Sequence, residues 1–324
     1  MAPSEQLHLD AEREVARICA TLKDQVLRDL RRKGVVVGIS GGVDSAVVAA
    51  LCARALGPER VLGLLMPERD SSPDSLRLGR EAAAAAGVAA LVEDVGPGLE
   101  ALGCYARQHQ AIRTVFPEYG DGWRCKLTLP NRLDTDRLNV FQLTVQPPHG
   151  EPSSSRLSAA AYQALVAATN MKQRVRKLLE YTHADRLGYA VGGTPNRLEY
   201  ELGFFVKAGD GAADVKPIAH LFKTQVYQLA AYLGVPEEIR SRPPTTDTWS
   251  LAQTQEEFYF ALPWNEMDLC LWGVDHGMPA SELALALGHT PAQIERVLKD
   301  VTAKRRTTRY LHAPPLRVDD PPGA

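Results

Sequence analysis

A short glycine-rich segment, Gly38-Ile-Ser-Gly-Gly-Val-Asp-Ser45, has the residue types of a phosphate-binding loop. It follows an apolar run and precedes a helical pattern, so its backbone amides can form an anion-binding nest at a helix N-terminus. Its three glycines permit close approach to a ligand and positive φ values. The segment has neither the Gly-Lys-Ser/Thr ending of a Walker A loop nor GxGxxG spacing. It therefore predicts phosphate chemistry of a different kind.

The elements around this loop alternate between short β-branched runs and helical patterns. Strands are predicted at 35–39, 61–66 and 89–92, and helices at 9–30, 45–56 and 76–86. This order is βαβαβ. It predicts an α/β fold with a doubly wound, mostly parallel sheet, helices on both faces, and ligands at the carboxyl ends of the strands.

The segment from residue 103 to about 157 interrupts this alternation. Strands are possible at 124–129 and 140–145, whereas the Pro- and Ser-rich stretch 146–155 is predicted to be an irregular surface segment. Beyond it, helices are predicted at 159–183 and 223–233, a strand at 189–191, and a helical region at 267–298 interrupted near Gly277-Met-Pro279. We interpret residues 1–324 as a single domain with an irregular insertion at about 103–157.

The composition excludes several classes of protein. With 37 basic and 39 acidic side chains, the formal charge of -2 gives no overall field to attract nucleic acid or an anionic membrane. The five cysteines show no CxxC spacing, which argues against a zinc site or a disulfide framework. No stretch has the features of a signal peptide or the roughly 20 apolar residues of a membrane span. We expect a cytoplasmic protein.

The unit Ser-Gly-Gly-Val-Asp-Ser resembles the loop of the ATP pyrophosphatases, which cleave ATP between its α and β phosphorus atoms. This resemblance implies that the loop holds the triphosphate through Gly38, Ile39, Ser40, Gly41, Gly42, Val43, Asp44 and Ser45. It also implies that Asp44 helps to bind magnesium. A carboxylate beside a phosphate repels it unless a hard cation lies between them.

Further motifs resemble those of ammonia-dependent NAD synthetases within this superfamily. They occur in order at 170–174, 192–199, 203–214, 217–223, 244–247 and 304–306. The likeness extends from about residue 10 to 316. It implies ATP-dependent amidation of nicotinic acid adenine dinucleotide to NAD through an acyl-adenylate, with ammonia as nitrogen donor, Mg2+ as cofactor, and AMP and pyrophosphate as products.

The same resemblance assigns roles to individual residues. Thr194, Lys223 and Thr245 are expected around ATP, and Glu199 is expected to be a second magnesium ligand beside Asp44. The dinucleotide is expected to contact Arg174, Lys207, Asp214 and Lys304. Lys223 is also expected to be catalytic, together with Asp247, a candidate base for ammonium in a closing loop. The segment 208–212 is interpreted as a turn because Asp-Gly pairs are common in turns.

Three positions depart from the family pattern. Lys177 replaces an expected methionine, Gln255 an aspartate, and Ala303 a histidine. These departures would suit an adenylating amide ligase of the same fold that acts on another carboxylate. A non-catalytic nucleotide sensor is a more distant alternative, against which Asp44, Glu199 and Lys223 argue.

The resemblance also bears on partners. Glutamine-using NAD synthetases carry an N-terminal nitrilase-like domain, for which the roughly 30 residues before the first predicted strand leave no room. We therefore expect ammonia from solution or from a separate glutaminase. The family also implies a homodimer. Apolar faces of the helices at 9–30 and 159–183 would suit an interface, although they are equally compatible with an intrachain core.

Overall fold

The computed structural model describes residues 3–129, 141–245, 248–260 and 262–319. Their strands are β1 (Val35–Gly38), β2 (Val61–Leu65), β3 (Ala89–Val92), β4 (Arg124–Thr128), β5 (Gln142–Gln146), β6 (Ser153–Arg156) and β7 (Ala190–Gly192). The α-helices are α1 (Ala11–Asp24), α2 (Val43–Leu56), α3 (Pro73–Ala85), α4 (Gly96–Ala101), α5 (Cys104–Arg113), α6 (Ala159–Leu187), α7 (Arg197–Leu202), α8 (Lys223–Tyr232), α9 (Glu237–Ser241), α10 (Gln255–Phe258), α11 (Trp264–Asp275), α12 (Ala280–Leu287) and α13 (Pro291–His312). Short helical turns lie at Pro3–Leu7, Gln25–Asp29 and Pro58–Arg60.

A parallel sheet with the order β3-β2-β1-β7 forms the centre of the molecule. Val35 in β1 is in register with Val61 of β2 on one side and with Ala190 of β7 on the other. The valines of β1 are completely buried. A short β-branched run without alternation is typical of a strand covered on both faces, and this strand carries the phosphate loop at its carboxyl end.

Helices cover both faces of this sheet. On one face α1, α2, α3 and α8 pack around Val35 and Val37. On the other face α6 packs against β1 and β7, with Ala184 beside Val36. The predicted doubly wound α/β fold is confirmed. The apolar residues of α1, including Val15, Ile18 and Leu22, lie within the intrachain core.

A second sheet, antiparallel with the order β4-β5-β6, occupies part of the predicted insertion. Leu127, Leu143 and Val145 alternate toward a separate core. The possible strands at 124–129 and 140–145 correspond to β4 and β5, and the segment 103–157 also contains α5, so much of the predicted insertion has regular structure. Within 146–155, the last three residues belong to β6. Its Ser-Ser-Ser-Arg sequence has no apolar alternation. This segment is a strand because its backbone pairs with one side of β5.

The C-terminal helices form a further layer. α11, α12 and α13 pack with α7 around Met267, Leu283 and Val297. The predicted interruption near 277–279 is observed as the turn between α11 and α12. Among the described residues, no helix is long and apolar enough to cross a bilayer.

Candidate functional site

A cavity of about 580 Å³ opens at the carboxyl ends of the parallel strands. Its walls are the loops after β1, β2 and β7, one face of α6, and parts of the segments 203–210 and 239–259. This is where a parallel sheet of this topology is expected to bind ligands.

The predicted phosphate loop forms one wall, and each of its residues from Gly38 to Ser45 lines the cavity. The Ser45 hydroxyl accepts from the Ser40 amide at 3.2 Å and donates to the Gly42 carbonyl at 2.9 Å. Gly42 is the N-cap of α2, and no described side chain caps this helix. Its first-turn amides therefore point to the cavity end of the helix without intrahelical acceptors, as an anion requires.

A buried ion pair lies next to this loop. The ammonium of Lys223, a completely buried side chain, contacts the carboxylate of Asp44. Burial alone would lower the pKa of Lys223, but the charges of Asp44 and Glu199 outweigh it and raise the pKa. Lys223 therefore remains a cation. Its backbone is fixed because Asp268 accepts from the Thr224 amide at 2.7 Å in the first turn of α8.

Glu199 brings a second carboxylate to the cavity. It is the third residue of α7, and its Oε2 accepts from the Asn196 amide at 3.1 Å in a capping box. Its Oε1 accepts from Gln255 Nε2 at 3.1 Å. Burial and the neighbouring charge of Asp44 raise the pKa of Glu199 to about 8. The two carboxylates therefore repel each other, and a cation between them would relieve that repulsion.

The remaining residues predicted to contact ATP are brought to the same place. Thr194 follows β7, Thr245 precedes the loop that leads to α10, and both line the cavity. The predicted base Asp247 lies outside the described residues. The chain thus gathers the predicted phosphate loop, both threonines, Lys223 and Glu199 in one cavity.

The four residues predicted to bind the dinucleotide do not line this cavity. Arg174 is exposed and donates to the Lys207 carbonyl at 3.3 Å. Lys207 donates to the carbonyls of Tyr310 and Ala313 at 2.8 and 3.2 Å. Ala313 lines a second cavity, of about 480 Å³, between α7 and α13.

The other two of these residues also make protein contacts. Asp214 is exposed, accepts from the Val191 amide at 2.8 Å, and is 3.3 Å from the Tyr181 hydroxyl. Lys304 forms an ion pair with Asp300 at 2.8 Å, and its ammonium lies 4.3 Å from the centre of the Tyr259 ring. In this conformation all four are held by neighbouring groups of the chain.

The departures from the family pattern have separate environments. Gln255 lines the cavity and contacts Glu199. Lys177 is buried and pairs with Glu180 at 2.6 Å. Ala303 is exposed on α13. Two of the three departures therefore belong to the site or to its immediate support.

Sequence reasoning missed a stripe of cavity-lining residues along α6. Thr169, Gln173, Arg176 and Glu180 recur at helical spacing on the face that meets the cavity. This three-and-four-residue spacing was the signal that could have identified them. Arg176 also donates to the Met66 carbonyl after β2 at 3.1 Å.

Two acidic residues of this wall were also missed. Glu180 and Asp210 line the cavity, and burial raises the pKa of each carboxyl. Asp210 lies in the predicted turn at 208–212 and accepts from the Val206 amide at 2.7 Å. One residue of the predicted turn, Asp210, therefore forms part of the cavity wall.

A buried cluster behind the cavity was not expected either. Lys172 Nζ lies 2.9 Å from Glu68 Oε1 and 2.6 Å from Asp70 Oδ2, and donates to the Thr248 carbonyl at 3.0 Å. Two carboxylates directly after β2 were a sequence signal, because that is the ligand-binding end of the sheet. The cluster joins α6, the loop after β2 and the segment beyond Thr245.

The arrangement is suited to a polyphosphate. Helix amides and a lysine supply positive charge, while Asp44 and Glu199 offer oxygen ligands to a hard cation. Within the residues that the structure describes, no group of three or more His, Cys, Asp or Glu side chains is placed to hold a metal ion. Two carboxylates fit magnesium nonetheless, because this ion commonly takes one or two protein carboxylates and completes its shell with phosphate oxygens and water.

Comparisons with known proteins agree on the family. A family model described as NAD synthase matches residues 14–115 and 138–310. An NH(3)-dependent NAD(+) synthetase of Mesorhizobium japonicum is 64% identical over 310 residues, with 96% of this chain and 97% of the relative covered. A protein of the same name from Rhizobium meliloti is 56% identical over 315 residues, with 97% of this chain and 94% of the relative covered.

Solved structures share the fold at lower identity. An NMN synthetase from Francisella tularensis has a TM-score of 0.67 and 20% identity, with 97% of this chain and 100% of that chain covered. An NH3-dependent NAD synthetase from Campylobacter jejuni has a TM-score of 0.62 and 20% identity, with 96% and 100% covered. At these identities the structures support the fold alone.

Proposed function

This chain belongs to the NAD synthase family, and we propose that it amidates nicotinic acid adenine dinucleotide to NAD with ATP and ammonia. One observation carries the proposal: the loop from Gly38 to Ser45 meets Lys223 and Glu199 in a single cavity. Such a cavity can bind a triphosphate and stabilise the charge that develops during adenylate transfer.

For the ATP half of the reaction we assign roles to residues that line the cavity. The first-turn amides of α2 would accept the phosphate oxygens, and Thr194 and Thr245 would contact the nucleotide. Lys223 is a buried cation, so it would stabilise negative charge as the pyrophosphate leaves. Attack of the substrate carboxylate on the α-phosphorus forms a new P–O bond, breaks the bond to the bridging oxygen, and gives an acyl-adenylate.

Magnesium would be held by Asp44 and Glu199. The observation in favour is that burial and the neighbouring charge of Asp44 raise the pKa of Glu199 to about 8, so that a cation beside both carboxylates would stabilise their charged forms. What the ion supplies there is neutralisation of phosphate charge. Lys223 and Asn196 orient Asp44, because both contact its carboxylate.

The amidation half requires a dinucleotide site and a base. We assign Arg174, Lys207, Asp214 and Lys304 to the dinucleotide and Asp247 to the proton that ammonium must lose. Ammonia then attacks the activated carbonyl carbon, and AMP leaves with the C–O electron pair. For the first four residues, binding requires exchanging present contacts, such as those of Lys207 with Tyr310 and Ala313, for contacts with the ligand.

The same proposal includes an oligomeric state, a source of ammonia and a cellular compartment. A homodimer is proposed, although the apolar face of α1 is already used within the chain. Leu178 on α6 remains 63% exposed and offers one apolar contact. Ammonia would come from solution or from a separate glutaminase, and the cytoplasm is the proposed compartment.

The test is a turnover assay with purified protein, ATP, magnesium and an ammonium salt. Nicotinic acid adenine dinucleotide should yield NAD, AMP and pyrophosphate in equal amounts, without ADP. Nicotinic acid mononucleotide and other carboxylates are compared in parallel. Pyrophosphate release only with another carboxylate would replace the proposal by an amide ligase of the same fold, and ATP binding without turnover on any carboxylate would indicate a sensor.

A further inference from the structure

The segment 248–258 begins at the edge of the cavity and ends with α10. It lies along strand β4. The Cys125 amide donates to Ser250 Oγ at 2.9 Å, and the Leu251 amide donates to the Cys125 carbonyl at 3.0 Å. At the other end, the Leu129 amide donates to the Glu257 carbonyl at 2.9 Å. Backbone contacts thus fix both ends of the segment on this strand.

Side chains strengthen the same contact. Gln253, only 4% exposed, donates its side-chain amide to the Leu127 carbonyl. Lys126 forms an ion pair with Glu257 at 3.0 Å. Trp249 is buried in the core that contains Leu127. The segment is therefore held by polar and apolar contacts to one sheet.

This contact leads directly to the functional site. Thr254 caps α10, because its hydroxyl accepts from the Glu257 amide at 3.1 Å. Gln255, the first residue of α10, donates to Glu199 Oε1 at 3.1 Å. Glu257 takes part in both the cap and the pair with Lys126. Only one residue thus separates Gln255, which contacts the cavity carboxylate, from Glu257, which is anchored on β4.

The strand itself lies in a part of the chain that the family model does not match, which extends from 116 to 137. We propose that β4 is a docking platform for the segment 248–258, and that it makes Gln255 a positioning residue for the Glu199 carboxylate. A neutral amide donor fixes this carboxylate without adding a third negative charge beside Asp44. The catalytic consequence rests on the proposed function, whereas the docking itself does not.

Gln253→Ala tests the docking in protein without ligand or metal. We expect the amides of Leu251 and Leu129 to exchange their hydrogens about tenfold faster, since a buried hydrogen bond changes a local opening equilibrium by roughly that factor. Amides of β1 should be unchanged. Gln146→Ala is the matched control, because Gln146 lies in the same sheet and pairs with the exposed Arg124. If the amides of Leu251 and Leu129 exchange as slowly in Gln253→Ala as in the wild type, the proposed docking platform is overturned.

Gln255→Ala and Gln255→Glu test the positioning. We expect the magnesium concentration for half-maximal turnover to rise several-fold in Gln255→Ala and further in Gln255→Glu, with β1 exchange unchanged. Lys126→Ala, a milder change at the partly exposed ion pair, should accelerate exchange at Leu129 and covers the case in which Gln253→Ala does not fold. An unaltered magnesium requirement in both Gln255 variants would overturn the positioning role, even if Gln253→Ala shows faster hydrogen exchange. Inactivity of the wild type toward the dinucleotide would refute the proposed function while the exchange experiment still decides the docking.

Discussion

The side-chain amide of Asn196 donates to Asp44 Oδ1 at 3.0 Å, which joins the two carboxylate-bearing elements of the site. The same asparagine caps α7, since its Oδ1 accepts from the Glu199 amide at 3.2 Å. One side chain therefore orients Asp44 and starts the helix that carries Glu199. Asn196 is almost completely buried, so both of these hydrogen bonds are shielded from water.

Asn196→Ala should lower the free energy of unfolding by about 1–3 kcal/mol, because it removes a helix cap and a hydrogen bond to a carboxylate. Asn196→Asp keeps a capping oxygen, so its loss of stability should be smaller. It also places a negative charge beside Asp44, and turnover should fall on the order of tenfold or more. Urea unfolding and steady-state rates measure the two effects. Equal turnover in Asn196→Asp and the wild type would contradict this account of Asp44.

Stability should depend on pH through Glu199. Its carboxyl has a pKa of about 8 in the folded protein, against an ordinary value of 4.5. Between these values the folded protein keeps a proton that the unfolded chain has lost, so the free energy of unfolding falls as the pH rises. Without magnesium, the decrease in the urea midpoint from about pH 5 to about pH 8 should be larger in the wild type than in Glu199→Gln. The same slope in both proteins would show that Glu199 does not retain this proton.

Gly41→Ala should disrupt the phosphate loop. Gly41 has a φ of +84°, and a Cβ built there would lie 2.7 Å from the Ser75 carbonyl oxygen. Because the loop must shift, we expect ATP affinity to fall at least about tenfold and stability to fall by about 1–3 kcal/mol. Calorimetric titration and urea unfolding provide the measurements. Gly98→Ala is the matched control: its Cβ meets no described atom within 4 Å, so both quantities should stay near those of the wild type.

The sequence predicted the parallel sheet and the ATP side of the cavity because both depend on local signals. β1 is a β-branched run, and the loop from Gly38 to Ser45 is contiguous. The contacts of β4 with Gln253 could not be predicted in this way, since they join residues 126 positions apart in the chain. Ser153–Arg156 was missed as a strand because its hydrogen-bonding partner, not its own side chains, determines its conformation.

Lys207→Ala and Asp214→Ala should weaken binding of the dinucleotide and leave ATP affinity nearly unchanged. Each removed charge-assisted hydrogen bond should cost about 1.5–3 kcal/mol of binding free energy. Lys299→Ala, at an exposed lysine on α13, is the control for a general loss of positive charge. Separate titrations with the two ligands decide the matter. Equal losses of affinity for both ligands would contradict the assignment of Lys207 and Asp214 to the dinucleotide alone.

Lys172→Met should be among the most destabilising single substitutions behind the site. It would leave Glu68, whose side chain is fully buried, and the nearly buried Asp70 without their shared cation. Breaking a buried ion pair in this way costs about 3–5 kcal/mol. Arg28→Ala is the control: it removes an ion pair with Asp24 in which the arginine side chain is 80% exposed, and it should change stability by less than about 0.5 kcal/mol.

The double variant Lys172→Met with Glu68→Gln separates charge from packing. If an unpaired carboxylate causes the loss, neutralising Glu68 should restore part of the stability, because the buried charge is removed while the Tyr105 hydroxyl keeps an acceptor 2.9 Å away. If the lost packing of the lysine stem dominates, the effects of the two substitutions on the free energy of unfolding should be additive. Urea unfolding of the four proteins of this cycle gives the coupling energy. A double variant no more stable than Lys172→Met would assign the effect to packing and refute the electrostatic explanation.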